Sequence, residues 1–141
     1  MRVAIQMDPI GSIDINADST FRLAEEAQAR GAELFYYTPD ALALDEGRVT
    51  ARGHALTVRR EVGNHADLGP EQTVDLADFD VVWLRQDPPF DMGYITSTHI
   101  LERLPASTQV VNDPFWVRNY PEKLLVLNFS DLTPPTTMAR D

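Results

Sequence analysis

The run Arg85-Gln86-Asp87-Pro88-Pro89-Phe90-Asp91 follows directly on the apolar stretch Val81-Val82-Trp83-Leu84, setting one guanidinium and two carboxylates where a buried strand should end. Open α/β sheets hold their ligands at such ends. Pro88 and Pro89 cannot continue a strand ladder, and they bias the residues before them toward extended backbone, so the chain leaves the sheet stiffly and in one direction. Two readings follow. Either Arg85, Asp87 and Asp91 are held ready for something polar, or Arg85 pairs with one of the two carboxylates and the prolines open the next helix. Two other strand ends carry polar residues: Asp8 follows the apolar run at 3–7, and Asn112-Asp113 follows the short run at 109–111. In a parallel sheet these three ends converge along one edge, which makes Asp8, Arg85 and Asn112 candidates for a shared ligand cleft.

The elements that must position them follow from the local pattern. A strand at 3–7 ends at Pro9 and Gly11. Asp18 or Ser19 can cap a helix whose apolar side is Phe21, Leu23, Ala24 and Ala27, and Gly31 is placed to stop it. The β-rich run at 33–37 completes a β-α-β pattern, the signature of a parallel sheet with a crossover helix. Residues 41–44 and 48–51 flank Asp45-Glu46-Gly47 and read as a hairpin appended to that sheet. The alternation at 54–62 predicts a half-exposed strand, and 63–69 reads as a loop. The continuous apolar run at 81–84 fits a central strand covered on both faces. Tyr94, Thr98, Leu101 and Leu104 predict a helix ending before Pro105, and Asn112-Asp113-Pro114 joins a strand end to a capped helix start. A further helix begins at Pro121, and 130–137 has little helix propensity.

Composition narrows the function. At 141 residues, with 43% hydrophobic and 24% charged residues, the chain suits one soluble domain. The net charge of −10, with no basic cluster, disfavours nucleic acid and anionic membranes as partners. Zero cysteines remove any thiolate metal site, Cys nucleophile or disulfide framework, and with no signal-peptide pattern the expected location is the cytoplasm. Neither G-x-G-x-x-G nor G-x-x-x-x-G-K-[ST] occurs, so a P-loop or dinucleotide fold is not expected. His54, His65 and His99 lack metal-ligand spacing, and no nucleophile elbow is present. Trp83 and Trp116 are expected to pack in or beside the core.

Met7-Asp8-Pro9-Ile10, the Arg85 to Asp91 run, Val111-Asn112, Glu122-Lys123-Leu124 and Phe129-Ser130-Asp131-Leu132-Thr133-Pro134 together resemble the N-terminal region of bacterial glutathione synthetase, in order and separation, across nearly the whole chain. The resemblance implies an α/β, Rossmann-like (pre-ATP-grasp) domain, a mainly parallel sheet flanked by helices. It implies a substrate-side domain at 1–120, and at 121–141 the connection to and start of an ATP-grasp domain. The family's reaction joins γ-glutamylcysteine to glycine, giving glutathione, with ATP and magnesium. By this resemblance Arg85 is the arginine directed toward γ-glutamylcysteine or the tripeptide, and Lys123 the lysine contributed to the ATP site. Asp8 and Asn112 are secondary members of the substrate cleft. No catalytic base and no metal ligand is assigned, and Asp87 and Asp91 are left to orient Arg85 or cap a helix. The resemblance also implies a homo-oligomer.

The departure from the family is that the sequence stops at Asp141, before the Gly-rich loop, the second nucleotide-binding lysine and the magnesium ligands. The expectation is that ATP and Mg2+ are bound mainly by the missing domain and that these residues alone are inactive. A stand-alone, non-catalytic small-molecule-binding or assembly domain is the other reading.

Overall fold

A computed structural model describes residues 1–139, and within them every side chain but that of Glu122. Arg140 and Asp141, the last two residues of the expected 121–141 segment, lie outside the described residues. At the centre of the sheet is β1 (Arg2–Gln6), buried from Val3 onward. The helix α1 (Ser19–Ala29) crosses to β2 (Glu33–Tyr37), which pairs with β1 in parallel. Asp18, not Ser19, is the cap: its side chain accepts from the Phe21 backbone N–H. Gly31, at φ +80°, ends the helix in the left-handed conformation that a glycine adopts without steric cost.

The chain then makes β3 (Leu42–Asp45), β4 (Arg48–Val58) and β5 (Ala66–Asp75), all antiparallel to their neighbours, before β6 (Val81–Leu84) returns to pair with β1 in parallel. After α2 (Met92–Leu101), β7 (Gln109–Val111) adds to β6, again in parallel. Two short helices follow, α3 (Pro114–Asn119) and α4 (Glu122–Leu125), then a 3-10 segment at Val126–Leu132. The strand order is β3-β4-β2-β1-β6-β7, with β5 on β4.

The two-residue period of the strands sorts the core onto two faces. Val3, Ile5, Leu34 and Tyr36 pack with Phe21, Ala24 and Ala27 of α1, while Ala4, Phe35, Tyr37, Val82 and Leu84 pack on the face that receives Leu101 of α2.

The α/β class is as the sequence implies, but the sheet is mixed, and the appended unit is three strands instead of one hairpin. The runs read separately at 48–51 and 54–62 join in one strand, β4. Gly53 lies in mid-strand because a Cβ there would stand 2.1 Å from the Tyr36 carbonyl oxygen and 2.9 Å from Tyr37 Cβ. The strand ends at Val58, and the expected loop at 63–69 instead enters β5 at Ala66. Pro70 is tolerated there because β5 pairs only with β4, an edge position that demands no donor on its outer side. The helix expected to reach Leu104 ends at Leu101, short of Pro105. Trp83 packs against the core, but Trp116 is 54% exposed, its ring edge-on to that of Phe115 and tilted against that of Tyr120.

Candidate ligand cleft at the parallel strand ends

The parallel register carries the ends of β1, β6 and β7 to one edge: Gln6 lies beside Leu84, and Trp83 beside Val111. Arg85 extends the ladder by one step, its N–H donating to the Gln6 carbonyl at 2.8 Å. Asn112 follows β7 directly, its Nδ2 3.5 Å from the Leu84 carbonyl oxygen. Asp8, two residues beyond β1, accepts the Asp87 N–H at 2.6 Å through Oδ2. Asp8, Arg85 and Asn112 are therefore brought together, and the proline-stiffened loop is pinned to the end of β1 by a carboxylate.

A cleft of about 610 Å³ opens on this edge, with Arg85, Gln86, Asp87, Tyr94, Asn112 and Lys123 in its wall. Asp8 is not in that wall. It braces the loop through the Asp87 N–H. Asp91 caps α2 by accepting the Tyr94 N–H at 3.0 Å, and Asp113 caps α3 by accepting the Phe115 and Trp116 N–H groups.

Arg85 pairs with neither of the carboxylates that flank it in sequence. Its Nε donates to Thr20 Oγ1 at 3.0 Å and its Nη2 to Ser19 Oγ at 2.8 Å, both hydroxyls standing at the start of α1. Among the described residues no ion pair includes Arg85. The guanidinium thus keeps its charge uncompensated by a direct partner, a suitable state for meeting an anion.

Tyr94, a helix-face residue in the sequence pattern, contributes its hydroxyl to the same place. Burial pushes that hydroxyl above its ordinary value, Arg85 pulls it down, and Asp87 and Asp8 push it up again. It remains a protonated donor at neutral pH beside all three charges. Behind the wall, fully buried Gln6 donates through Nε2 to Gln86 Oε1, and Gln6 Oε1 has no partner among the described residues. Tyr94, Ser19 and Thr20 carried no local signal for a site, since they meet Arg85 only through the fold.

On its other side Arg85 borders a wider groove of about 900 Å³ together with Ser19, Arg22 and Arg60. Those two arginines are less available, because both pair with Glu25. Arg60, opposed by partial burial and assisted by Arg22, holds the Glu25 carboxyl below the usual range.

The family described as prokaryotic glutathione synthetase, N-terminal domain, matches residues 1–118. The chain belongs to this family. It is 57% identical over 141 residues to the glutathione synthetase of Bradyrhizobium diazoefficiens and 54% identical over 141 residues to that of Mesorhizobium japonicum. Against the Escherichia coli O6:H1 glutathione synthetase the identity is 43% over 142 residues. Each match covers 100% of this chain and 45% of the relative, so the chain spans about half the length of the synthetases it resembles.

Among the described residues no three His, Asp or Glu side chains are grouped to hold a metal ion, and the cleft has no Gly-rich loop to cradle phosphates. What the arrangement can do is hold an anionic, polar molecule against a stiff wall. No helix among the described residues is long and apolar enough to cross a membrane.

Proposed function

We propose that the chain is the substrate-side N-terminal part of a glutathione synthetase, the ligase that joins γ-glutamylcysteine to glycine with ATP and magnesium. The observation that carries this reading is Arg85: a residue at the parallel strand ends and in the wall of a cleft, its guanidinium oriented by neutral hydroxyls and, among the described residues, without a carboxylate partner. A planar fork of N–H donors matches a substrate carboxylate, and γ-glutamylcysteine has two. Asn112 and the Tyr94 hydroxyl supply neutral polar contacts beside it, and Asp8 keeps the Arg85 to Asp91 loop in place. Lys123, a compact ammonium in the same wall, is assigned to the nucleotide side.

On this reading residues 1–120 form the substrate-side domain and 121–141 lead into an ATP-grasp domain, which supplies most contacts to ATP and Mg2+. The protein works in the cytoplasm as a homo-oligomer, and the 141 residues by themselves are inactive, because phosphoryl transfer depends on charge neutralisation by groups they do not carry. The test is ATP-dependent glutathione formation from γ-glutamylcysteine and glycine. The complete protein is expected to catalyse it and the 141-residue chain is not; turnover by the chain alone, or none by the complete protein, would contradict the proposal.

A further inference from the structure

We infer that Ser19 and Thr20 are positioning residues for Arg85, setting the direction and preserving the charge of the guanidinium that meets the substrate carboxylate. The inference rests on the reading of Arg85 proposed above. A guanidinium presents two forked edges, one made by Nε and Nη2, the other by Nη1 and Nη2. Thr20 and Ser19 occupy the first, at 3.0 and 2.8 Å. Among the described residues the second makes no hydrogen bond, and its two N–H groups have the geometry to donate to both oxygens of a carboxylate.

The choice of neutral acceptors matters as much as their placement. With Asp87 two residues along the chain, its N–H bonded to Asp8, and a net charge of −10, a carboxylate partner for Arg85 would be easy to supply. An internal ion pair would compete with the ligand for the same charge, whereas a hydroxyl orients the fork and leaves the charge in place. Neither hydroxyl is occupied with capping, since Asp18 accepts the Phe21 N–H. Thr20 is buried at 4% exposure and Ser19 is exposed, so one fixes the root of the guanidinium and the other its rim. The residue triplet Asp18-Ser19-Thr20 thereby divides two tasks at one helix start, a cap from the first and a clamp from the other two.

Steady-state kinetics of the complete protein test this, with KM for γ-glutamylcysteine, KM for ATP and kcat measured separately and thermal melts taken on each variant. Thr20→Val keeps the shape of the side chain and removes the acceptor. It is expected to raise KM for γ-glutamylcysteine about tenfold, the scale of losing a hydrogen bond to a charged group, with KM for ATP unchanged. Thr20→Ser restores the acceptor and should restore the KM. Ser19→Ala should raise the same KM severalfold. Ser19→Asp should raise it further than Ser19→Ala while raising the melting temperature, because a carboxylate in the first turn favours the helix yet neutralises Arg85. An Arg85→Ala variant with an unchanged KM would overturn both the reading of Arg85 and this inference. A large Arg85→Ala defect beside normal Thr20→Val and Ser19→Ala variants would overturn the positioning role alone, as would a Thr20→Ser defect equal to that of Thr20→Val.

Discussion

The two halves of the sheet treat charge differently. In the parallel half, β2, β1, β6 and β7 run in one direction, so the polar residues that follow each strand collect at one edge, where Arg85 is held by hydroxyls and, among the described residues, by no carboxylate, while Arg2 and Glu33 pair at the opposite edge. In the antiparallel half, β3, β4 and β5 reverse at turns, so their ends scatter to opposite edges, and their charges pair with each other on exposed faces. Arg59 bridges Asp67 and Glu61, and Arg52 faces Glu71. The turn between β3 and β4 bends at Glu46 and Gly47, both at positive φ. The contrast teaches that topology, more than composition, decides where an unpaired charge can be gathered for a ligand. It also separates the residues that should change affinity from those that should change only stability.

Gly53→Val is the strongest way to break the antiparallel half. A side chain there must enter the Tyr36 carbonyl and the Tyr37 Cβ, so urea unfolding should show a loss of about 3 kcal/mol or more. A variant as stable as the wild type would mean that β4 does not lie against β2 as described. Thr108→Val perturbs the parallel half at the edge away from the cleft. Buried Thr108 donates to the Phe79 carbonyl at 2.8 Å and lies 3.3 Å from that of Ala77, so its loss should lower stability by about 1–2 kcal/mol. Affinity for γ-glutamylcysteine should stay the same, and a drop in affinity exceeding threefold would blur the division between the two edges.

The smallest effect concerns pH. Arg59, by hydrogen bond and by charge against a weaker opposing burial, lowers the Asp67 carboxyl below its ordinary value of 3.8. A carboxyl depressed in the folded state stabilises the protein above its unfolded pKa and loses that contribution as pH falls through the folded one. Wild type should therefore exceed Asp67→Asn slightly in melting temperature at pH 7, with the gap closing below about pH 4. A gap that widens on acidification would reverse the assignment.

Much of the parallel half was legible in the sequence because its signals are local. Asp18 and Gly31 bracket α1, apolar runs mark β1, β2 and β6, and Asp113-Pro114 opens α3. The antiparallel half was less so. The runs at 48–51 and 54–62 read as separate until Gly53 is seen against the Tyr36 carbonyl, and 63–69 reads as a loop although β5 begins at Ala66. At the cleft, the meeting of Asp8, Arg85 and Asn112 follows from parallel strands alone. The partners of Arg85 do not, because Thr20 stands 65 residues away in the chain and nothing in its neighbourhood marks a polar contact. Asp8 shows the converse: its position was legible, but its work as a brace for Asp87 appears only in the hydrogen bond.

The most direct test of the account sets one arginine from each half side by side, measuring the dissociation constant of γ-glutamylcysteine from the complete protein by calorimetry for Arg85→Ala and Arg59→Ala. Arg85→Ala should weaken binding about a hundredfold, the scale of removing a charged partner from a desolvated site, and Arg59→Ala should leave it unchanged. Equal effects of the two substitutions, or none from Arg85→Ala, would contradict the claim that the parallel strand ends form the ligand site.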